Sequence, residues 1–233
     1  MIFVQSDHGP GVIGFTGGEL ARYHAFTMCW GAIHVPVGTK EYDGLGYDTA
    51  CNSNSIIEYA MKQPEAEWVF ILDDDHVFSP DVLLTLLDKR VDVVVPLYAQ
   101  RRQPFRPCVY KAENADKSYH ICDWVDFEGK AGLQPIVSAG KSGILIRRRV
   151  LETLRPPYFE WDGVVGEDHY FLKKCRLAGF QPYVDLDTTL GHITPMPVFP
   201  FQKDGRWCGK VDMGGAFVEY WPAQYGPAVG GAE

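Results

Sequence analysis

Three adjacent carboxylates, Asp73, Asp74 and Asp75, are the residues of this sequence best suited to hold a metal ion. Adjacent acids repel one another and lose hydration on burial, unless a cation or water compensates them. Mg²⁺ and Mn²⁺ bind carboxylate oxygens and keep open positions that phosphate oxygens can fill. The run therefore predicts a metal site for a nucleotide diphosphate. The alternative is an acidic turn in water; an EF-hand calcium loop is disfavoured because its spaced acids and central glycine are missing.

A second acidic pair, Glu167 and Asp168, stands where a helix is predicted to begin. Apolar spacing carries that helix through Phe171 and Cys175 toward a stop at Gly179. A carboxylate fixed at a helix start can act as a general base aimed into a cleft. The alternative is an acid that only stabilises the positive end of the helix.

Three further residues could complete such a site. His192 could join the carboxylates around Mn²⁺ as a neutral imidazole, or be a hydrogen-bonded structural histidine. Arg101 follows a predicted strand, and its planar donor fork matches phosphate, although the same segment could be a solvated loop. Gly143 ends a stretch of small residues that would let the backbone approach a sugar. That stretch does not match a P-loop.

The elements that must position these residues alternate between strand and helix. Residues 68–72 have no polar face, which predicts a strand buried on both sides that delivers the acids to the carboxyl edge of a sheet. Ser79 and Pro80 then start a helix. The other predicted elements are a first strand near 32–37, a helix over 52–61 capped by Ser53 or Asn54, a strand over 91–95, a helix over 150–154 and a strand over 181–186. The predicted fold class is α/β, a three-layer sandwich with a mostly parallel central sheet.

Length and composition limit the remaining possibilities. The 233 residues predict a single domain over 1–233, with 194–233 as a C-terminal lid or irregular tail. A net charge of -8 argues against broad electrostatic capture of nucleic acid. The sequence has no charge-poor apolar segment of membrane-spanning length and no basic signal region at its start, so we expect a cytoplasmic protein. The six cysteines form no Cys-x-x-Cys pair, and we expect free thiols.

The order of these motifs resembles glycosyltransferases of the A-type fold (GT-A), especially the family-two-like enzymes, over roughly residues 53–192. The resemblance lies in the Asp-x-Asp signature within 70–75, the small residues 139–143 before an apolar strand, and 166–168 before a helix. It implies a nucleotide-diphospho-sugar transferase-like fold. It also implies that Asp73 and Asp74 lie on the nucleotide side and that Asp75 binds the metal together with His192. Asp168 would then be the base, and Glu167 would orient the acceptor or the base.

The resulting hypothesis is a metal-dependent glycosyltransferase of the hexosyltransferase type. It would use Mn²⁺ or Mg²⁺ to move a sugar from a nucleotide-diphosphate donor, a UDP-sugar, to a hydroxyl acceptor with inversion. Retention of configuration stays open, as do glycan, protein, small-molecule and modified nucleic-acid-base acceptors and the oligomeric state. Two other hypotheses are a nucleotidyltransferase that uses the same acidic metal site and a non-catalytic module that binds nucleotide sugars or glycans.

Overall fold

The computed structural model describes residues 1–18, 23–102, 104–194, 198–212 and 217–220. The chain divides into two compact units, one formed by Met1–Ala99 with Arg106–Ile193 and the other by Gln100–Phe105 with Thr194–Glu233. Within the described residues, no helix combines the length and the apolar character needed to cross a bilayer.

Strands and helices alternate through the first unit. Its helices are α1 (His24–Ala32), α2 (Thr49–Met61), α3 (Val82–Asp88), α4 (Arg148–Thr153) and α5 (Glu167–Leu177), with a 3₁₀ turn at Trp124–Phe127. Its strands are β1 (Ile2–Val4), β2 (Val12–Gly17), β3 (His34–Pro36), β4 (Lys40–Glu41), β5 (Gly44–Leu45), β6 (Trp68–Asp73), β7 (His76–Val77), β8 (Val93–Leu97), β9 (Val109–Glu113), β10 (Tyr119–Ile121), β11 (Leu133–Pro135), β12 (Ser138–Ala139), β13 (Ile144–Arg147), β14 (Pro182–Thr189) and β15 (Gly191–His192).

The large sheet has the order β11-β14-β8-β13-β6-β2-β4, with β5 also paired to β2. The predicted mostly parallel sheet is found in part, because six of its eight strands run in one direction, whereas β13 and β11 run against them and make the sheet mixed. The pairs β14/β8, β6/β2 and β2/β4 are parallel, but β13 runs antiparallel to both β6 and β8. The antiparallel β13 follows β12 and the turn at residues 140–143, and therefore enters the sheet from the edge at which β6 ends.

Two apolar clusters cover the two faces of this sheet, which confirms that β6 is buried on both sides. Val69 and Ile71 belong to the cluster that includes α2, α4 and α5 residues, represented by Ile57, Leu151 and Phe171. Trp68, Phe70 and Leu72 belong to the cluster that includes α1 and α3 residues. Helices on both faces of a central sheet give the three layers expected from the sequence.

The first strand of the large sheet is β2, not the predicted strand near 32–37. Residues 34–36 form β3, which pairs with β1 in a separate two-stranded sheet. Glycines interrupt the apolar pattern of β2, but they have a packing role: a Cβ on Gly14 would lie 2.1 Å from the carbonyl oxygen of Tyr42. Glycine is therefore needed at position 14, because the neighbouring backbone comes too close for a side chain. The same glycine interrupts the apolar pattern, which is why the sequence did not predict this strand.

Helix boundaries differ slightly from the predicted ones. The helix predicted over 52–61 begins three residues earlier, because Asp48 rather than Ser53 or Asn54 caps it and accepts a hydrogen bond from the backbone N–H of Cys51 at 2.9 Å. The helix predicted to start at Pro80, with Ser79 as its cap, instead begins at Val82, and Asp81 occupies the cap position. α5 begins at Glu167, as predicted.

The second unit contains an antiparallel sheet of β16 (Val198–Lys203), β17 (Arg206–Asp212) and β18 (Phe217–Tyr220) among its described residues. The prediction that 194–233 forms a lid or irregular tail of one glycosyltransferase domain stays a prediction. Its residues 195–197, 213–216 and 221–233 lie outside the described part of the chain.

Candidate active site

Two short strands bring histidines from distant parts of the sequence together just beyond the end of β6. β7 and β15 pair antiparallel, and His192 lies directly opposite His76 in their register. The two imidazole rings stack with centroids 4.2 Å apart. The backbone N–H of Ile193 donates to the carbonyl oxygen of Asp75 at 2.8 Å, which fixes β15 against the acidic run.

Asp75, His76 and His192 form a group that could hold a metal ion. One ligand atom from each residue lies within 4.8 Å of the other two. His192 Nδ1 lies 2.8 Å from the carbonyl oxygen of Ala99, and its Nε2 lies 3.4 Å from Asp75 Oδ2. Because a carbonyl can only accept, Nδ1 carries a proton, which it donates to Ala99. Nε2 is therefore the ring nitrogen of His192 that can coordinate a cation beside the Asp75 carboxylate.

His76 gives a second reason to expect a ligand here. Its side chain is 1% exposed, and its Nε2 has no hydrogen-bond partner among the described residues. An unsatisfied buried nitrogen costs about 1–3 kcal/mol, and coordination of a cation would remove that cost. Sequence reasoning missed His76, although an imidazole directly after an acidic run is the signal that could have identified it.

The Asp75 carboxylate is strongly biased toward its ionised form. Burial opposes ionisation, but hydrogen bonding and charge interactions with His192 and His76 outweigh it and hold the pKa of Asp75 far below its usual value. An ionised carboxylate beside two imidazoles is a suitable ligand set for a divalent transition metal.

Asp73, predicted to face the nucleotide, is already paired within the protein. Its carboxylate forms an ion pair with Lys141 and accepts a hydrogen bond from Thr16 Oγ1 at 2.5 Å. Lys141 is only 4% exposed, so this cation lies inside the protein. Burial raises the pKa of Asp73, but Lys141 and Thr16 more than offset that effect and lower it overall. The role of Asp73 toward a nucleotide stays a prediction.

The neighbours of Asp73 fix the local backbone. Ser142 Oγ accepts from the backbone N–H of Asp73 at 3.1 Å and lies 3.1 Å from His76 Nδ1, so it connects the start of the acidic run to the histidine that follows it. The Asp74 carboxylate lies close to the backbone at Gly17, where a Cβ would be 2.4 Å from Asp74 Oδ2. Its assignment to the nucleotide side also stays a prediction.

Gly143 has a structural explanation that does not involve a ligand. Its φ is +73°, and a Cβ there would lie 2.6 Å from Pro96 Cγ. Both the left-handed backbone and the close packing against Pro96 favour glycine. The predicted approach of this backbone to a sugar is not tested by these contacts. Arg101 belongs to the second compact unit, and its role also stays a prediction.

The second acidic pair lies in the first turn of α5. Burial raises the pKa of the Asp168 carboxyl and Glu167 raises it further, while His169 and Lys141 act in the opposite direction without offsetting them. Asp168 Oδ1 accepts from the backbone N–H of His169 at 2.7 Å. Glu167 accepts a hydrogen bond from Thr49 at the start of α2. His169 Nδ1 lies 2.7 Å from Ser138 Oγ on β12, which attaches α5 to the strand that leads to Lys141.

Tyr98 and Cys108 lie within electrostatic reach of both acidic groups. Burial raises the pKa of Cys108 to about 12, and the charges of Asp168 and Asp75 add to the increase. Burial also raises the pKa of Tyr98 well above its usual value, and Asp73 and Asp168 contribute. The Tyr98 ring packs edge-on against both His76 and His192. Both acidic groups therefore act electrostatically on the same two side chains of the first unit.

Comparisons with known proteins identify the fold. No protein-family model and no curated protein sequence matches the chain. Among solved structures, A197 from STIV matches with a TM-score of 0.54 and 14% identity over 90% of this chain and 94% of that chain. GalNAc-T7, solved with UDP, GalNAc and Mn²⁺, matches with a TM-score of 0.55 and 9% identity over 86% of this chain and 45% of that chain.

At these identities the similarity supports a nucleotide-diphospho-sugar transferase-like fold and shows nothing beyond the fold. The chain spans less than half of the GalNAc-T7 chain. A third match, the inositol-1-phosphate CTP transferase from T. maritima, has a TM-score of 0.47 and carries no argument.

Proposed function

We propose that this protein is a metal-dependent glycosyltransferase of GT-A type that moves a sugar from a nucleotide-diphosphate donor to a hydroxyl acceptor. The observation that carries the proposal is that one acid with a lowered pKa, Asp75, and one with a raised pKa, Asp168, occur in the same unit and both influence Cys108. The Asp75, His76 and His192 group can hold a cation, and the pKa of nearby Asp168 is raised. A cation that binds phosphates and a base that accepts a proton are the two functions that glycosyl transfer requires.

On the donor side, Asp75, His76 and His192 would hold the metal. Two imidazoles beside one carboxylate favour Mn²⁺ over Mg²⁺, which prefers oxygen ligands. When bound, such an ion neutralises the negative charge that develops on the departing diphosphate. Lys141 holds Asp73, and Ser142 links the Asp73 backbone to His76, so these residues keep the acidic run in one conformation before a donor arrives.

On the acceptor side, Asp168 would take the proton from the attacking hydroxyl. A carboxyl whose pKa is raised toward the working pH is a better general base than a fully solvated one. Glu167, held by Thr49, would orient the acceptor or Asp168. Attack on the sugar from the face opposite the diphosphate would invert the anomeric centre.

UDP is the nucleotide that we propose for the donor. GalNAc-T7, which has a similar fold, was solved with UDP, GalNAc and Mn²⁺. The acceptor is proposed only as a hydroxyl, whether on a glycan, a protein, a small molecule or a modified nucleic-acid base.

A thermal-shift screen of UDP-sugars, with and without Mn²⁺ and Mg²⁺, tests the donor half of the proposal. A true donor should raise the apparent stability much more in the presence of Mn²⁺ than in its absence, because ligand binding stabilises by mass action. If no UDP-sugar or other nucleotide sugar stabilises the protein with either metal, the proposal is wrong.

Product analysis of the stabilising donor tests the chemical half. Phosphorus NMR should show release of a nucleoside diphosphate, and proton NMR of the product should show an inverted anomer. Release of pyrophosphate would identify a nucleotidyltransferase instead. Binding with neither hydrolysis nor transfer across an acceptor panel would identify a non-catalytic binding module, and a retained anomer would exclude Asp168 as the base of a single displacement.

A further inference from the structure

A cavity of about 470 Å³ opens at the opposite edge of the large sheet and is lined mainly by charged side chains. Its charged residues are Glu67, Arg90, Asp92, Arg147, Arg148 and Arg149. Four guanidinium groups against two carboxylates leave a net positive charge there, in a chain whose total charge is -8. Cavities of a few hundred cubic ångströms are the usual size for small-molecule sites.

The sheet register separates this cavity from the acidic neighbourhood. Arg147 at the end of β13 pairs with Trp68 at the start of β6, whereas Ile144 pairs with Ile71 near the acidic end. The rise per residue in a strand places the two ends of β6 roughly 17 Å apart. The cavity is therefore a separate site from the one formed by Asp75, His76 and His192.

The four arginines differ in how far their donors are used within the protein. Arg149 forms an ion pair with Asp92, and Arg148 donates to Glu152 and to the backbone carbonyl of Gln63 at 2.7 Å. Arg147 donates from Nη2 to the Leu87 carbonyl at 3.0 Å. The Arg90 guanidinium has no hydrogen bond or ion pair among the described residues. The guanidinium groups of Arg148 and Arg149 are thus bound to other protein groups in the lining of the cavity, whereas those of Arg90 and Arg147 retain N–H donors for a ligand.

The backbone at Arg90 is unusual for an arginine. Arg90 directly follows the C-cap of α3 and has a φ of +54°, a left-handed conformation that glycine adopts more easily. A non-glycine residue in this conformation costs about 1–2 kcal/mol. Backbone strain at a position whose side chain lines a cavity is a reason to look for a function of that side chain.

We propose that this cavity binds a phosphate-bearing anion, held by the guanidinium groups of Arg90 and Arg147. Planar guanidinium donors match the tetrahedral oxygens of phosphate through paired, charge-assisted hydrogen bonds. Repulsion among the guanidinium groups also supports an anion site in this cavity. Burial lowers the pKa of Arg147, and Arg149 and Arg90 add to the decrease against the opposing effect of Glu67 and Asp92. A bound anion would relieve that repulsion. The inference stands independently of glycosyl transfer.

Isothermal titration with inorganic pyrophosphate and inorganic phosphate, in EDTA at constant ionic strength, tests the proposal. Wild-type protein should bind at least one of the two with a Kd of about 1 mM or tighter, a free energy near -4 kcal/mol. Weaker binding of both would overturn the proposal. EDTA removes divalent ions, so the metal-dependent donor site does not contribute.

Arg90→Gly is the most informative variant, because it removes the guanidinium and relieves the backbone at once. We expect a 10- to 100-fold loss of affinity, as for removal of a charge-assisted hydrogen bond, with unchanged or increased thermal stability. Arg155→Gln is the matched control, since it removes the same charge from an exposed arginine outside the cavity. Equal losses in both variants, or no loss in Arg90→Gly, would overturn the proposal.

The Asp75→Asn variant distinguishes anion binding in the cavity from anion binding at the Asp75, His76 and His192 group. This variant should bind pyrophosphate like the wild type. If it loses the binding, the anion occupies the acidic edge and the cavity is not the site. Conversely, failure of the UDP-sugar screen leaves the cavity assignment unaffected.

Discussion

The acids at the end of β6 and the acid at the start of α5 are shifted in opposite directions. Asp73 and Asp75 are held ionised by Lys141 and by the two histidines, and their pKa values are lowered. Burial raises the pKa of Asp168, the neighbouring Glu167 carboxylate adds to the increase, and the opposing effects of His169 and Lys141 are too weak to cancel it. Burial acts in the same direction at both places, so the partners decide the outcome. The first environment suits cation binding, and the second suits proton transfer.

Replacing Asp168 by Asn should have the largest effect. General-base catalysis contributes about 10²–10⁴-fold, so turnover with a UDP-sugar should fall by that factor. Donor stabilisation in the presence of Mn²⁺ should be retained, because the phosphate-binding edge is intact. Steady-state kinetics and thermal shift on the same preparation measure the two effects.

Asp75→Asn is the counterpart of that variant and should lose the Mn²⁺-dependent donor stabilisation as well as turnover. If both variants behaved alike, with donor binding lost or retained in each, the division of roles between the two acidic groups would be wrong.

Replacing Lys141 by Met should destabilise the fold by about 3 kcal/mol, the lower end of the cost of breaking a buried ion pair. The Asp73 carboxylate is only 29% exposed and would lose its cation. Urea unfolding measures the change. A double variant, Lys141→Met with Asp73→Asn, should recover part of the loss because no unpaired charge remains.

Lys40→Met is the control for that experiment, because Lys40 forms an exposed pair with Glu65 and its removal should change stability little. A Lys141→Met effect as small as this control would show that the Asp73 pair does not hold the acidic edge in place.

Mn²⁺ at 100 times its Kd should raise the free energy of unfolding by about 2.7 kcal/mol. The increase should be present in Asp168→Asn and absent in Asp75→Asn, His76→Gln and His192→Gln, each compared with its own metal-free form. His120→Gln, at an exposed histidine on β10, is the control and should respond like the wild type. An increase that survives in His76→Gln would remove His76 from the ligand set.

The smallest expected effect concerns stability and pH. The raised pKa of Asp168 means that the folded state favours its protonated form, and its contribution to stability is lost as pH rises from about 4 through the raised value. Asp168→Asn should therefore become more stable than the wild type as pH increases from 4 to 7. Unfolding free energies measured across that range give the slope.

Asp162, in the loop before α5, should change stability with pH in the direction opposite to Asp168. Its pKa is lowered by hydrogen bonds from the backbone N–H groups of Val165 and Val164, so its contribution to stability is present above its normal pKa and lost at lower pH. Asp162→Asn should fall below the wild type as pH rises. Slopes of the same sign in the two variants would contradict the contrast between the two kinds of acid.

Local patterns made part of this molecule predictable. The apolar run into Asp73 identified a strand buried on both faces, and the apolar spacing after Glu167 identified α5 and its first residue. Both signals lie within a few residues of the feature they predict. The proximity of Asp75 and His192, which β7 and β15 bring about, was expected only from the resemblance to GT-A glycosyltransferases.

Features that depend on distant contacts were not predictable in the same way. Lys141 pairs with Asp73 across 68 residues, and only the antiparallel placement of β13 explains that contact. Tyr98 packs against His76 and His192, a contact between residues 22 and 94 positions apart that no local pattern indicates. The glycines of β2 are typical of a loop when only the local sequence is considered. The contact that requires Gly14, with the backbone of Tyr42, is made by a segment that comes later in the chain.

β13 connects the turn that carries Lys141 and Ser142 to the arginine-lined cavity, because Arg147, the last residue of the strand, lines that cavity. The side chains of this strand alternate between the two cores, with Ile144 and Ile146 in one and Leu145 in the other. Inserting or deleting one residue within this strand would turn the following side chains toward the opposite core. It would also shift either the turn with Lys141 and Ser142 or the arginines from their positions. As the gene diverges, length changes should accumulate in the surrounding loops, while this segment keeps a constant length.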